Sequence, residues 1–214
     1  PIGDSPVYCN RNYLPIFMNG AGVGPSHGEA LGAVHAALLG AHLIAKEERD
    51  HTSEFLYTKP ASRCAILTGK LLAGLANLVI FNLVTTASSF YFVDYFNKDE
   101  AFGSDIVLLM IGLFFLQVIF FAIGAAVAGT SHKPKSAASR STSIMFGTFL
   151  LFYMVNLNED LDFLKYLTPF KYFEAGVLMA DGALDPVFVV LSLAIIAVAI
   201  VGTYRFYSAR DLSI

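Results

Sequence analysis

The chain has 214 residues, of which 56% are hydrophobic and 14% are charged, and its formal net charge at pH 7 is -3. Soluble domains usually carry about 25% charged residues, so this composition indicates a membrane protein. The weakly acidic balance provides no basic face for nucleic acid, and we therefore expect no nucleic-acid partner. Two cysteines, Cys9 and Cys64, are too few for a disulfide framework, and we expect both to be free thiols.

Apolar runs divide the sequence into segments of membrane-spanning length. A bilayer core about 30 Å thick is crossed by about 20 apolar residues in a helix. The runs are continuous rather than alternating, which favours helices. In chain order they lie at about 27–45, 65–93, 106–129, 141–157 and 186–207. The sequence therefore predicts an all-α membrane protein, a polytopic bundle with five spanning helices in a single transmembrane domain over 26–207.

Basic residues fall unevenly on the connections between these runs. Ten of the 14 lie on one set of connections and four on the other. Short cytoplasmic loops are enriched in Lys and Arg, so the richer set is predicted to be cytoplasmic. Residues 1–25 then form an extracytoplasmic segment, and residues 208–214 form a cytoplasmic tail. The basic stretch 130–141, TSHKPKSAASRS, is expected to be a flexible cytoplasmic loop.

A dense group of charges separates the first two predicted spans. The stretch EERDHTSEFLYTK, residues 47–59, has the pattern of a short amphipathic helix, with Phe55 and Leu56 in an apolar patch and charged residues around them. Pro60 ends this helix, and Ser62 is placed to cap the next one. Periodicity alone fits two roles equally: a helix that docks on a partner, or an interfacial helix that lies on lipid headgroups.

Three motifs in this order resemble those of ABC type-2 exporter permeases. The first is LIAKEERDHTSEFLYTKPASRCAILTGKLLAGL, residues 43–75. The second is LKYLTPFKYFEAGVLMADGALDP, residues 164–186, and the third is YRFYSARDL, residues 204–212. They cover most of the chain from Leu43 to Leu212.

The resemblance implies a function for the charged stretch. It would be the coupling helix that contacts a separate ATP-hydrolysing subunit, and the matching partner-binding residues are Glu47, Glu48, Arg49, Thr52, Glu54, Phe55 and Leu56. Two copies of that subunit would carry ATP and Mg, so this chain would hold no cofactor and would not be an enzyme. A second permease chain, identical or paralogous, would complete the transporter in a bacterial or archaeal plasma membrane. Family members usually have six spans, so we expect a first span to be missing from this sequence.

Several polar residues lie at membrane depth and are candidates for a translocation pathway. His35 and His42 are seven residues apart in the first run, and intramembrane ionisable groups are functional candidates by default. Two histidines supply only half of a structural zinc site, so no metal site is predicted. The same run carries small residues at four-residue steps, which instead favours a packing face. The candidate pathway residues are His35, His42, Asn77, Asn82 and Gln117.

The segment KYLTPFKYFEAG combines aromatic and basic side chains before the last span. Pro169 is expected to break it into two short helices. By resemblance it belongs to an external re-entrant hairpin over about 161–183, with Pro169, Phe170, Tyr172 and Phe173 as a candidate outer gate. A simple interfacial anchor fits the same residues.

Catalytic patterns do not stand out in the sequence. The phosphate-binding pattern GxxxxGK[ST] is absent, so any ATP hydrolysis takes place in another subunit. The leading interpretation is therefore the membrane subunit of an ATP-driven exporter. The alternatives are a membrane channel or scaffold that uses no ATPase, and an intramembrane enzyme or metal protein centred on His35 and His42.

Overall fold

The computed structural model describes residues 27–49, 62–96, 103–131, 134–157, 159–174, 178 and 183–209. These residues form α-helices and one 3₁₀ helix, with no strand in the described ranges. The α-helices are α1 His27–Arg49, α2 Arg63–Phe96, α3 Gly103–Thr130, α4 Pro134–Leu157, α5 Pro169–Tyr172 and α6 Pro186–Ala209. The 3₁₀ helix, Glu159–Leu167, joins α4 to α5. We call the 3₁₀ helix, α5 and the residues up to 178 the hairpin segment.

Four of the helices are long and apolar enough to cross a bilayer. Their spanning portions are Gly28–Lys46, Arg63–Tyr91, Ile106–Thr130 and Pro186–Tyr207. Inside a bilayer every backbone polar group must bond within the protein, and each of these helices bonds its own. The prediction of an all-α polytopic membrane protein is confirmed.

Helix α4 differs from the other long helices in composition. It has 24 residues, which at 1.5 Å per residue gives about 36 Å, enough to cross the bilayer core. Its first ten residues, PKSAASRSTS, are mostly polar, however, and the helix is not among those apolar enough to be recognised as spans. The fifth span over 141–157 therefore stays a prediction.

The start of α4 corrects one expectation from the sequence. The stretch 130–141 was expected to be a flexible loop, but α4 begins at Pro134. Proline is favoured in the first turn of a helix, where its missing N–H has no intrahelical partner to lose. Ala137 and Ser141, on the side that faces the bundle, are both buried. Packing against the bundle thus favours helix in a polar sequence.

Helix α3 is the centre of the bundle. Helices α1, α2, α4 and α6 all contact it, and its contact with α1 is the most extensive. Its side chains form the middle of the apolar core, where Leu116, Ile119 and Phe120 are almost completely buried. By contrast, α2 and α6 expose many large apolar side chains, as expected of surfaces that face lipid.

Two glycines allow the backbones of α1 and α3 to approach each other closely. A Cβ added at Gly40 would collide with the carbonyl oxygen of Phe121, and a Cβ added at Gly124 would collide with the carbonyl oxygen of Ala37. Close backbone approach through small residues is typical of helix pairs in membranes. Ser141 of α4 joins this contact, since its hydroxyl donates to the Ala37 carbonyl oxygen at 3.1 Å. The three helices are therefore packed together at one level of the bundle.

Candidate functional site

The predicted coupling helix lies mostly outside the described residues. Glu47, Glu48 and Arg49 are the last residues of α1, which has no break between His27 and Arg49. Thr52, Glu54, Phe55 and Leu56 fall in the range 50–61, outside the description. Helix α2 begins directly after this range, where the backbone N–H of Ala65 donates to the Ser62 hydroxyl at 3.2 Å, a normal N-terminal cap. Residues 50–61 thus connect two well-defined helices.

The two histidines of α1 lie in different surroundings. His35 is half-buried, and its ring stacks on Phe81 of α2 with centroids 5.1 Å apart. His42 is exposed. Among the described residues no group of three or more His, Cys, Asp or Glu side chains could hold a metal ion. The two histidines thus differ in burial and in their neighbours.

The two candidate pathway residues of α2 also differ in burial. Asn77 is exposed, whereas Asn82 is half-buried and its amide donates to the Met110 carbonyl oxygen of α3 at 3.2 Å. Asn82 is thus a bridge between helices, which is a usual role for polar side chains in membranes. The five candidates thus differ in burial, from exposed His42 and Asn77 to completely buried Gln117.

Gln117 is the most unusual of the candidates. It lies at the middle of α3 and is completely buried. Within the described part of the chain, neither its Oε1 nor its Nε2 has a hydrogen-bond partner. The side chain fills the space left by Gly32 of α1, where an added Cβ would lie 3.0 Å from Nε2. A buried polar group without a partner is destabilising, so this residue calls for an explanation.

Replacing Gln117 with Leu is expected to stabilise the isolated chain by about 1 to 3 kcal/mol, because it removes two buried polar groups without changing the side-chain volume much. Thermal unfolding in detergent would show a raised Tm. Asn82→Leu is the matched control: it removes a bonded amide and should lower the Tm. A lowered Tm for Gln117→Leu would contradict the placement of this side chain in an apolar core.

The hairpin segment inserts aromatic side chains into the end of the bundle. Of the predicted gate residues, Pro169, Phe170, Tyr172 and Phe173 are all buried. The Phe170 ring lies against rings of two long helices, with centroid distances of 5.2 Å to Phe120 of α3 and 5.5 Å to Phe149 of α4. The sequence alternatives were a gate and a surface anchor. These four side chains are therefore part of the core, whereas Phe163, Tyr166 and Leu167 of the 3₁₀ helix are exposed.

Polar contacts fix the hairpin segment to α4. The Thr168 hydroxyl donates to the Thr148 carbonyl oxygen at 3.1 Å. The Lys171 ammonium donates to Asn156 Oδ1 at 2.6 Å and lies 2.6 Å from Glu174 Oε2. Contacts of this kind are directional and add geometric specificity. The segment is therefore held on the half of α4 that follows Thr148.

A further bond closes the hairpin segment on itself. The Tyr172 hydroxyl donates to the Tyr166 carbonyl oxygen, which ties α5 to the 3₁₀ helix. Burial raises the pKa of Tyr172 to about 12, so the hydroxyl stays protonated at physiological pH and keeps its donor. The Tyr172 ring also stacks on Phe188 of α6 at 5.1 Å.

An open groove between α1 and α4 was not anticipated from the sequence. It has a volume of about 560 Å³ and is lined by Leu38 of α1 and by Ala138, Ser139, Thr142, Ser143, Phe146, Gly147 and Leu150 of α4. Ser139, Ser143 and Gly147 follow one another at four-residue steps on the exposed side of the helix. The four-residue spacing is present in the sequence. It places these residues on one face of a helix because α4 begins at Pro134.

Comparison with known families agrees with this architecture. The family described as ABC-2 family transporter protein matches residues 26–212, which is nearly the whole chain. No curated protein matches the chain. The matched range includes every helix described above, and a bundle of apolar helices with polar ends is consistent with a membrane permease. The chain therefore belongs to the ABC-2 transporter family and is a membrane permease subunit of an ABC transporter.

Proposed function

We propose that this permease subunit works in an ATP-driven exporter, in which two copies of a separate ATP-binding subunit supply the energy and a second permease chain completes the pathway. The observation that carries the proposal is the continuity of α1. One helix of 23 residues leads from the hairpin end of the bundle to Arg49, and so reaches into the predicted coupling helix over about 47–59, which we call the docking sequence. A displacement of that sequence would act directly on α1.

Packing would pass such a displacement to the rest of the bundle. Gly40 and Gly124 bring α1 and α3 into backbone contact, and Ser141 of α4 donates to the backbone of α1. Well-packed interfaces change between discrete arrangements rather than deform continuously. Movement of α1 would therefore move α3 and the adjoining part of α4 with it.

The orientation of the transporter follows from its charges. Lys46, Arg63, Lys70, Arg140 and Arg205 lie near the same end of the helices as the docking sequence. The positive-inside rule supports a cytoplasmic location for this end, where an ATPase subunit would bind. The hairpin segment then faces the outside of the cell, and the C-terminus is cytoplasmic.

The groove between α1 and α4 supports a second permease chain. Ser139 and Ser143 line this groove and are exposed, and the Ser143 hydroxyl donates to the Ser139 carbonyl oxygen of its own helix. Small and hydroxyl residues are common where helices pack against one another in membranes. The pathway would then lie between the two chains, along this groove.

A double substitution of the docking sequence tests the proposal. Glu54→Ala with Phe55→Ala is expected to weaken binding of the ATP-binding subunit by about 2 kcal/mol or more, roughly 30-fold, because truncating a buried aromatic anchor has effects of this size. The measurement is the amount of ATP-binding subunit that co-purifies with the full chain in mild detergent, together with ATPase activity. Phe163→Ala, which changes an exposed aromatic residue of the hairpin segment, is the control and should leave binding unchanged.

Two other outcomes of this purification would reject the proposal or part of it. A purified chain that never brings an ATP-binding subunit with it would favour the channel or scaffold alternative. An ATP-binding subunit that binds the double variant as tightly as the wild type would show that Glu54 and Phe55 are not the docking residues.

A further inference from the structure

We infer that the groove between α1 and α4 binds an anionic amphiphile, a molecule with an acidic head group and a long apolar tail, and that molecules of this class are the cargo of the transporter. The inference rests on the proposed function, in which the pathway lies along this groove, and it names the class of substrate. It follows from the way polar and apolar side chains are distributed along the groove.

The end of the groove nearer the hairpin segment is apolar. Phe146 and Leu150 of α4 line this end and are 51% and 62% exposed. Gly147 lies between them and keeps the groove open, since no described atom beyond the neighbouring residues and the helix's own backbone lies within 4 Å of an added Cβ. Large apolar side chains around an open space favour an apolar ligand group. This end of the groove therefore suits an apolar tail.

The opposite end of the groove, nearer the docking sequence, carries hydroxyl groups. Ser139, Thr142 and Ser143 line this end, and the two serines are exposed. The Thr142 and Ser143 hydroxyls donate to the carbonyl oxygens of Ala138 and Ser139, four residues back on the same helix. These bonds satisfy the donors of Thr142 and Ser143 inside the membrane. The end as a whole offers a polar surface to the head group of a ligand.

Basic residues of α1 lie at the same polar end. The Ser141 hydroxyl bonds to the Ala37 carbonyl oxygen, and α1 and α4 run in opposite directions, so residues that follow Ala37 lie beside residues that precede Ser141. His42 lies one turn after Leu38 on the same face of α1, Lys46 lies one turn further, and both are exposed. The described lining of the groove contains no acidic side chain. The charges at this end therefore favour an anionic head group.

The groove has the size of a small-molecule site. Its volume of about 560 Å³ lies within the range of about 300 to 1,000 Å³ that is usual for ligand pockets. Such pockets are lined mainly by apolar side chains, and a few polar groups fix the orientation of the ligand. Here the polar groups are collected at one end, so a bound amphiphile would lie with its head group toward the docking sequence. The second permease chain would close the open side of the groove.

The test is photolabelling of the full chain in nanodiscs of phosphatidylcholine, whose head group has no net charge. The probe is a long-chain fatty acid with a photoreactive diazirine near the end of its tail, and the comparison probe is the fatty alcohol of the same length with the same diazirine. We expect the acid to label peptides that contain Phe146 and Leu150 at a concentration about 10-fold lower than the alcohol, because two basic residues attract only the acid. Unlabelled phosphatidylglycerol and unlabelled fatty acid are compared as competitors, which distinguishes a two-tailed from a one-tailed ligand.

Two pairs of variants separate the head-group contacts from the tail contacts. His42→Gln with Lys46→Gln should remove the preference for the acid and leave labelling by the alcohol unchanged, whereas Arg205→Gln, which removes an exposed basic residue at the same end of α6, should keep the preference. Gly147→Leu should lower labelling by both probes about 10-fold, because the new side chain fills the groove. Gly202→Leu makes the same substitution at another open helix position and should not change labelling. Tm values near that of the wild type show that the variants fold.

The complete complex with the ATP-binding subunit tests whether the bound molecule is cargo. Unlabelled fatty acid should at least double its ATPase rate, and ATP with vanadate should reduce labelling of the groove by at least half. Labelling that responds neither to nucleotide nor by a change in ATPase rate would identify the molecule as a fixed lipid and overturn its role as cargo.

Three results of the photolabelling would reject the site itself. They are equal labelling by the acid and the alcohol, labelling spread evenly over the lipid-facing helices α2 and α6, and full labelling of Gly147→Leu. Failure of the ATP-binding subunit to bind the wild-type chain would instead reject the proposed function. The photolabelling needs no ATP-binding subunit, so it decides separately whether the groove binds an anionic amphiphile.

Discussion

Substituting Ala for Gly40 or Gly124 is expected to cost about 3 kcal/mol or more of stability, the upper end of the range for overpacking a core. In both cases the new Cβ would meet a backbone carbonyl oxygen of the opposite helix. A side chain could rotate away from such a contact, but a backbone carbonyl that belongs to a regular helix cannot. The α1–α3 pair would have to separate, and α4 would lose the Ser141 bond to Ala37.

Thermal unfolding of the detergent-purified chain measures this effect. The fraction of the chain that elutes from a sizing column as a single species is measured alongside it. Gly69→Ala and Gly202→Ala are the controls, since no described atom beyond the neighbouring residues and the helix's own backbone lies within 4 Å of an added Cβ at either position. Both should be neutral or stabilising by up to about 1 kcal/mol. Gly74→Ala should fall between the two groups, because its Cβ would meet the Phe121 ring, a side chain that can move. Near-wild-type unfolding of Gly40→Ala and Gly124→Ala would disprove the close approach of α1 and α3.

Truncating Phe170 to Ala is expected to cost about 3 to 5 kcal/mol, as found for large aromatic residues in cores. The ring is almost completely buried. It contacts the rings of Phe120, Phe149 and Phe152 at centroid distances of 5.2, 5.5 and 6.4 Å. Its removal would leave a cavity where α3, α4 and the hairpin segment meet. The three rings belong to α3 and α4, and the cavity would also border the hairpin segment, so it could not close without moving one of these elements.

The loss of stability should first affect the structure around Phe170 and only then the whole bundle. Hydrogen exchange of the backbone amides of residues 168–174 and of the second half of α4 should speed up, while the amides near Gly40 and Gly124 stay protected. Phe163→Ala is the matched control: this Phe is in the same segment but 69% exposed, and its loss should change neither exchange nor Tm. Equal effects of the two substitutions would mean that the hairpin segment does not insert into the bundle as described.

The two substitutions probe packing at opposite ends of the bundle. The glycine contact joins α1 to α3 and α4 near the docking end, and Phe170 joins α4 to the hairpin segment at the other end. At each place backbone atoms or rings from separate elements are closely packed, so a change in side-chain size should be poorly tolerated.

The sequence by itself determined the class of the protein and most of its helices. Continuous apolar runs of spanning length bounded by charge favour helices, which satisfy their own backbone in a bilayer, and the described part of the chain contains four such helices. The motifs at 43–75, 164–186 and 204–212 were enough to suggest the ABC-2 family. These properties depend on local composition and on residue order along the chain, which a single sequence contains.

Only the tertiary structure distinguished residues of the same type from one another. Gly40 and Gly124 lie at helix contacts whereas Gly69, Gly147 and Gly202 have open surroundings, and His35 is stacked on Phe81 while His42, on the same helix, is exposed. The burial of Gln117, the insertion of Phe170 and the early start of α4 have the same origin. Each depends on which helix faces meet, and that is decided by packing between residues far apart in the chain rather than by periodicity within one segment.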